Sequence, residues 1–193
     1  MSLRWLLLLI CSMAALGSSI LMEEVLPLAQ LGFTAVDKPT GDTIIELIFN
    51  VKPGNEELLM NTLLAVSDPS SPKYGQHLSK KQIDDMTANA DGQRETTLFL
   101  NSVPGIKTST CTDPLHITAS APVASWEKAL KTTFYNFEKL DSSGAKTSVI
   151  RAHEYSLPEH VAPHIAAVFN TVQFPVERHH GPSILHPIRK DSN

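Results

Sequence analysis

Ser67-Asp68-Pro69-Ser70-Ser71-Pro72-Lys73-Tyr74-Gly75-Gln76-His77-Leu78-Ser79 stands between two segments with helical patterning. These thirteen residues hold two prolines, one glycine and four serines. Proline fixes φ and disfavours helical backbone in the residue before it, so the first helix stops at Asp68. Ser79 and Gln82 have the S-x-x-Q spacing of a capping box, and Leu78 with Ile83 that of a hydrophobic staple. A second helix therefore starts at Lys80. The stretch between them reads as a rigid corner, not a flexible linker.

Upstream of the corner, residues 43–52 alternate. Ile45, Leu47, Phe49 and Val51 fall on one face, and Ile44, Glu46, Ile48 and Asn50 on the other. That period of two predicts a half-buried strand, closed by Pro53-Gly54. Asn55 suits a helix N-cap, and Glu56-Glu57 suit its first turn. Leu59, Leu63 and Val66 follow at helical spacing, with Met60 and Leu64 widening the stripe. The expectation is a helix that covers the apolar face of the first strand.

Downstream, the second helix should run to about residue 90, with another helical piece over 93–101 before Pro104-Gly105 turns the chain. Residues 106–111 and 115–119 read as short strands around Thr112-Asp113-Pro114. Pro122 suits the first position of a further helix, with Val123, Trp126, Leu130 and Thr133 on one face. Residues 134–140 and 147–152 bracket Asp141-Ser142-Ser143-Gly144 as a hairpin. Pro163 is expected to open a helical segment carrying Ile165, Val168 and Phe169, ended by Phe174-Pro175. The order is strand, helices, strand, strand, helix, strand. It predicts an α+β domain: a ferredoxin-like split β-α-β antiparallel sheet with helices on one face, elaborated by an extra helix and a hairpin.

The chain divides into a signal peptide at 1–19, a lead-in segment at 20–42, the folded domain at 43–175 and an exposed tail at 176–193. Arg4, the apolar run from Trp5 to Cys11, and the small residues Ala14, Ala15, Gly17, Ser18 and Ser19 make up the signal peptide, cut after Gly17 or Ser19. The apolar run is short of the roughly 20 residues a bilayer span needs. No membrane partner is expected after cleavage. Cys11 leaves with this segment, and Cys111 reads as a buried strand thiol, intermolecular pairing staying open. No Asn-x-Ser/Thr sequon occurs.

With 193 residues, 42% hydrophobic and 19% charged, the chain fits a globular domain. A net charge of −4 gives no electrostatic footprint for nucleic acid. Protonating all eight histidines would carry it to +4, since −4 plus 8 is +4. Six of the eight fall between His153 and His186. His153, His160, His164, His179 and His180 are candidate pH sensors on that ground. His160 and His164 have i,i+4 spacing, but Pro163 interrupts the helix that would align them, so no metal site is assigned. His153-Glu154 opens like His-Glu-x-x-His, and Leu157 breaks the motif. Asp84-Asp85 and Glu56-Glu57 are helix neighbours that diverge in direction, which suits solvated faces. There is no Gly-x-Ser-x-Gly elbow and no phosphate-cradling glycine loop. No catalytic residue is assigned.

The corner, quoted as Ser67-Asp68-Pro69-x-Ser71-Pro72-x-Tyr74-Gly75-x-His77-Leu78-Ser79, resembles the signature of the activation prodomain of sedolisins. These are serine-carboxyl peptidases such as the kumamolisin-like enzymes and tripeptidyl-peptidase I. Beyond the corner, the Trp126 helix leads to an aromatic strand with Phe134, Tyr135 and Phe137. Arg151-x-His153-x-Tyr155-x-Leu157-Pro158 is similar to the family's Y-x-L-P element. The resemblance implies a ferredoxin-like prodomain that assists folding of a sedolisin-like catalytic domain, caps its active site and is shed on acidification. It also implies that the Ser-Glu-Asp triad and the calcium site belong to that catalytic domain. No cofactor and no activity are expected of this chain alone. Such a chain would pass through the secretory pathway toward the extracellular space or an acidic lysosome- or vacuole-like compartment. A free-standing secreted binding module, or a peptidase inhibitor acting in trans, stays open beside this reading.

Overall fold

A computed structural model of the chain describes residues 18–25, 32–110, 115–140 and 144–175. The strands are β1 (Ser19–Glu24), β2 (Thr34–Asp37), β3 (Ile44–Val51), β4 (Lys107–Thr110), β5 (His116–Pro122), β6 (Phe134–Leu140), β7 (Lys146–Ala152), β8 (Glu154–Pro158) and β9 (Ile165–Phe169). Among them lie the helices α1 (Glu56–Ser67), α2 (Lys80–Thr87), α3 (Ala90–Asn101) and α4 (Val123–Leu130), and a 3-10 turn at Ala162–His164.

The alternation of β3 decides the core. Leu47, Phe49 and Val51 are fully buried, while Ile44 and Glu46 on the other face are exposed. β3 is central in a four-stranded antiparallel sheet of order β4-β5-β3-β9. β5 separates β3 from β4, and β3 separates β5 from β9. The two β-α-β units therefore interleave in the split pattern that the element order predicts. Helices α3 and α4 lie on the buried face. Phe99 on α3 and Trp126 on α4 meet Phe49 with ring centroids 6.2 and 5.8 Å apart. Trp126 is fully buried, and its indole N–H donates to the carbonyl of Ile45 at 3.2 Å. The bond satisfies the one polar atom of a large apolar side chain.

A second sheet, β2-β6-β7, carries its own aromatic cluster. Phe174 sits 5.0 Å from Phe33 and 4.9 Å from Phe137. β1 pairs along β8 as a separate two-stranded ribbon. Tyr155 on β8 is buried. Its hydroxyl donates to the Glu23 carboxylate on β1 at 2.8 Å and accepts from the Val168 amide at 2.9 Å. Burial, reinforced by the Glu23 carboxylate, pushes the phenol well above its usual pKa, so Tyr155 stays neutral. Arg151 on β7 donates to the carbonyls of Gln173 and Ile150, which ties the end of the described chain to this sheet. Burial lowers its pKa from the ordinary value.

The structure corrects three sequence expectations. Residues 20–42, expected as a lead-in, carry most of β1 and all of β2. Both strands are short and do not alternate, and their partners β8 and β6 lie far along the chain. The helix expected after Pro163 is only the 3-10 turn, followed by strand β9. Short apolar runs do not distinguish helix from strand by period, and here the free edge of β3 takes Ile165 and Val168. The fourth strand of the main sheet is therefore β9, and the 134–152 hairpin goes to the second sheet. Finally, α1 does not cover β3. That place belongs to α3 and α4, and α1 packs against α2 instead. Cys11, Cys111, Thr112-Asp113-Pro114 and Asp141-Ser142-Ser143 lie outside the described residues, as do 1–17 and the tail 176–193.

Candidate docking surface

The feature that the fold leaves over is the arm made of α1, the corner and α2. Its base is fixed at two points. The Asn55 side chain, at the start of α1, donates to the carbonyl of Met86 near the end of α2 at 3.1 Å. The Gly54 amide donates to the carbonyl of Thr87 at 2.8 Å.

The tip is the corner, and its geometry follows from its residue types. Ser67 closes α1, and the Asp68 amide still donates to Leu64 at 3.0 Å. The Asp68 carboxylate then accepts from both the amide and the hydroxyl of Ser70 at 2.8 Å. The Ser70 amide first, then its hydroxyl, holds the Asp68 carboxyl below its usual pKa. Pro69 and Pro72 fix φ within this turn. The Ser71 hydroxyl accepts from the Lys73 amide at 3.1 Å, and the Ser71 carbonyl from the Tyr74 amide at 3.0 Å. Gly75 has φ +75°, a left-handed conformation that lets its amide reach back to Val66 at 2.9 Å. Ser79 and Gln82 then form the predicted capping box, with bonds of 2.9 and 3.3 Å. Lys80–Asp84 and Lys81–Asp85 are i,i+4 pairs at 2.6 Å, which accounts for Asp84-Asp85 as a solvated face.

His77 and Leu78 face the inner side of α1. With Leu59, Leu63, Val66 and Ile83 they border a recess of about 160 Å³. This uses one side of the helix. Met60 and Leu64, at i and i+4, share the other side. They and Leu58 are 52–60% exposed, and Tyr74 at the tip is 57% exposed. Apolar side chains turned to solvent on one helix make this face a candidate contact surface. The sequence carried a signal for it: Met60 and Leu64 widen the stripe beyond what one neighbouring helix can cover.

The structure gathers the signature residues Ser67 to Ser79 into this one tip. It does not gather the histidines. His153 stands edge-on to Tyr135 and Phe137, 5.4 and 5.5 Å away, beside the second sheet. His160 borders a groove of about 670 Å³ between α3 and α4. His164 lies in the 3-10 turn, and its carbonyl accepts from the Lys52 amide. His179 and His180 lie outside the described residues. Among the described residues no three His, Cys, Asp or Glu side chains converge as metal ligands would. No described helix is long and apolar enough to cross a membrane.

The described residues define an α+β class: a split β-α-β domain bearing an arm with exposed apolar side chains. The comparisons narrow the class. A family model described as "Pro-kumamolisin, activation domain" matches residues 32–174, and the chain belongs to that family. It is 28% identical over 183 residues to tripeptidyl-peptidase SED3 of Arthroderma otae, covering 93% of this chain and 30% of that protein. Tripeptidyl-peptidase 1 of Rattus norvegicus is 27% identical over 150 residues, covering 75% of this chain and 26% of the relative. The Mus musculus protein of the same name is 29% identical over 146 residues, with 75% and 26% covered. The chain thus spans less than a third of the length of these curated relatives.

Proposed function

We propose that this chain is the propeptide of a sedolisin-type serine-carboxyl peptidase, acting as folding chaperone and acid-released inhibitor of the catalytic domain. The observation that carries the reading is the outward pair Met60 and Leu64 on an arm whose tip is the signature corner. The partner proposed for it is the catalytic domain, because these relatives are more than three times as long as the stretch they share with this chain. Burying such side chains against a partner is favourable by about 25 cal/mol per Å² of apolar surface. The triad and the calcium site are assigned to that domain, and none of the residues here is given a catalytic or metal-binding role. A leader cut after Gly17 or Ser19 would deliver the protein to the secretory pathway. On acidification the histidines charge and the exposed carboxylates neutralise, which turns an acidic surface basic and weakens docking.

The test is inhibition of a mature catalytic domain of this family by the purified chain at pH 7 and pH 4. Tight inhibition at pH 7 and weak inhibition at pH 4 are expected. Equal inhibition at both would remove the acid-release step, and no binding at either would remove the inhibitor reading. Met60→Glu with Leu64→Glu should weaken inhibition at least tenfold, about 1.4 kcal/mol. Both side chains are more than half exposed, so the fold should lose no more than about 0.5 kcal/mol each.

A further inference from the structure

At its N-terminal end β1 meets a carboxylate. β1 pairs with β8 in a register that ends at Ser19 opposite Pro158. Pro158 has no amide hydrogen, so it donates nothing to a continuation of the ladder. One residue further out, the Ser18 hydroxyl donates to the Glu159 carboxylate, and the Ser18 carbonyl accepts from the Glu159 amide at 3.1 Å. Next to it, the Lys131 ammonium donates to the Ser19 hydroxyl at 3.0 Å. Ser18 is exposed and borders a shallow recess with Pro158, Glu159 and His160.

The two cleavage points allowed by the small residues are therefore not equivalent. A cut after Ser19 would delete the first rung of β1 and all three of these contacts. A cut after Gly17 deletes none, and since Ala15-Leu16-Gly17 and Gly17-Ser18-Ser19 both have the small-x-small pattern of a signal-peptidase site, these contacts decide between them. We propose that hydrolysis of the Gly17–Ser18 bond creates the mature N-terminus, and that the Ser18 α-ammonium so formed clamps β1 onto Glu159. This rests on the secretory-leader reading above. One water is added across the bond, leaving a carboxylate on Gly17 and an ammonium on Ser18. The amine and hydroxyl of a serine sit on adjacent carbons, so a carboxylate that holds one is within reach of the other. Before cleavage the Ser18 nitrogen is a neutral amide; after it, the nitrogen is a cation next to the hydroxyl that Glu159 already holds, and a hydrogen bond from it to that carboxylate is charge-assisted. The charged and titratable groups facing the new terminus are Glu159, which attracts it, and His160 and Lys131, which oppose it when positive.

The full chain is expressed in a secreting host, and the secreted product is read by intact mass and N-terminal sequencing. A product beginning at Ser18 is expected. A product beginning at Ile20 or later overturns the clamp. A secreted chain with an uncut leader overturns the leader reading itself. The clamp is then tested in the processed protein with Glu159→Gln, which keeps an acceptor for the Ser18 hydroxyl and removes the charge. Aminopeptidase trimming of Ser18 should be roughly two- to five-fold faster in this variant, the range an exposed ion pair supports. Equal trimming rates overturn the clamp. In a chain that retains Gly17 the ammonium is displaced by one residue, and there Glu159→Gln should make no difference. The same acceleration in that chain would assign the effect to the hydroxyl contact and overturn the clamp.

Discussion

Gly92 shows how one residue reconciles two constraints. It lies in the first turn of α3, where alanine would normally be preferred by about 1 kcal/mol. A β-carbon there would meet Val51 Cγ1 at 2.7 Å and Asn89 Nδ2 at 2.8 Å. Neither neighbour can give way cheaply. Val51 is fully buried, and Asn89 caps α3 through the Gly92 amide while donating to the carbonyl of Lys52. Gly92→Ala should therefore destabilise the protein, by about 1–3 kcal/mol, the usual cost of overpacking. Urea unfolding measures it, and a gain in stability would mean that α3 can shift off β3. Nothing in the sequence distinguished this glycine from one tolerated in a helix, because the clash is with a strand forty residues away.

The corner carries its own pH dependence. The folded-state pKa of Asp68 is depressed below 3.8 by the Ser70 contacts. The sign follows from that: the stabilisation is complete above the unfolded value and is lost as pH falls through the lower, folded value. The Ser70 amide proton should titrate with a midpoint below 3.8, observable by NMR, and Asp68→Asn should abolish that transition. Protonation of Asp68 is therefore not the step to which the proposed acid release is assigned. This element was legible beforehand, since Pro, Gly, Asp-Pro and the capping box are local rules acting within a few residues. β1, β2 and β9 were not legible. Each is short, none has a clean period, and each is made a strand by an edge offered from a distant segment. The outward face of α1 lies between these cases. Its leucines were visible, but which side they faced depended on α3 and α4 already occupying the sheet.

At the scale of the whole molecule, the interleaved order β4-β5-β3-β9 joins the two halves of the chain so that neither is a folding unit alone. Without β9, β3 loses one of its two partners, and Ile165 and Val168 leave the core. A chain ending at His164 should fail to show a cooperative thermal transition, whereas one ending at Pro175 should keep it. Calorimetry of the two distinguishes this from a modular fold. The same pairing governs events on the ribosome. β1 waits for β8, β2 for β6 and β3 for β9, so the first strands to emerge are held open until nearly the last described residues follow. Through most of synthesis the nascent chain exposes unpaired strand edges near its N-terminus. The main sheet is therefore complete only once Phe169 has been made, because β9 supplies the second partner of β3.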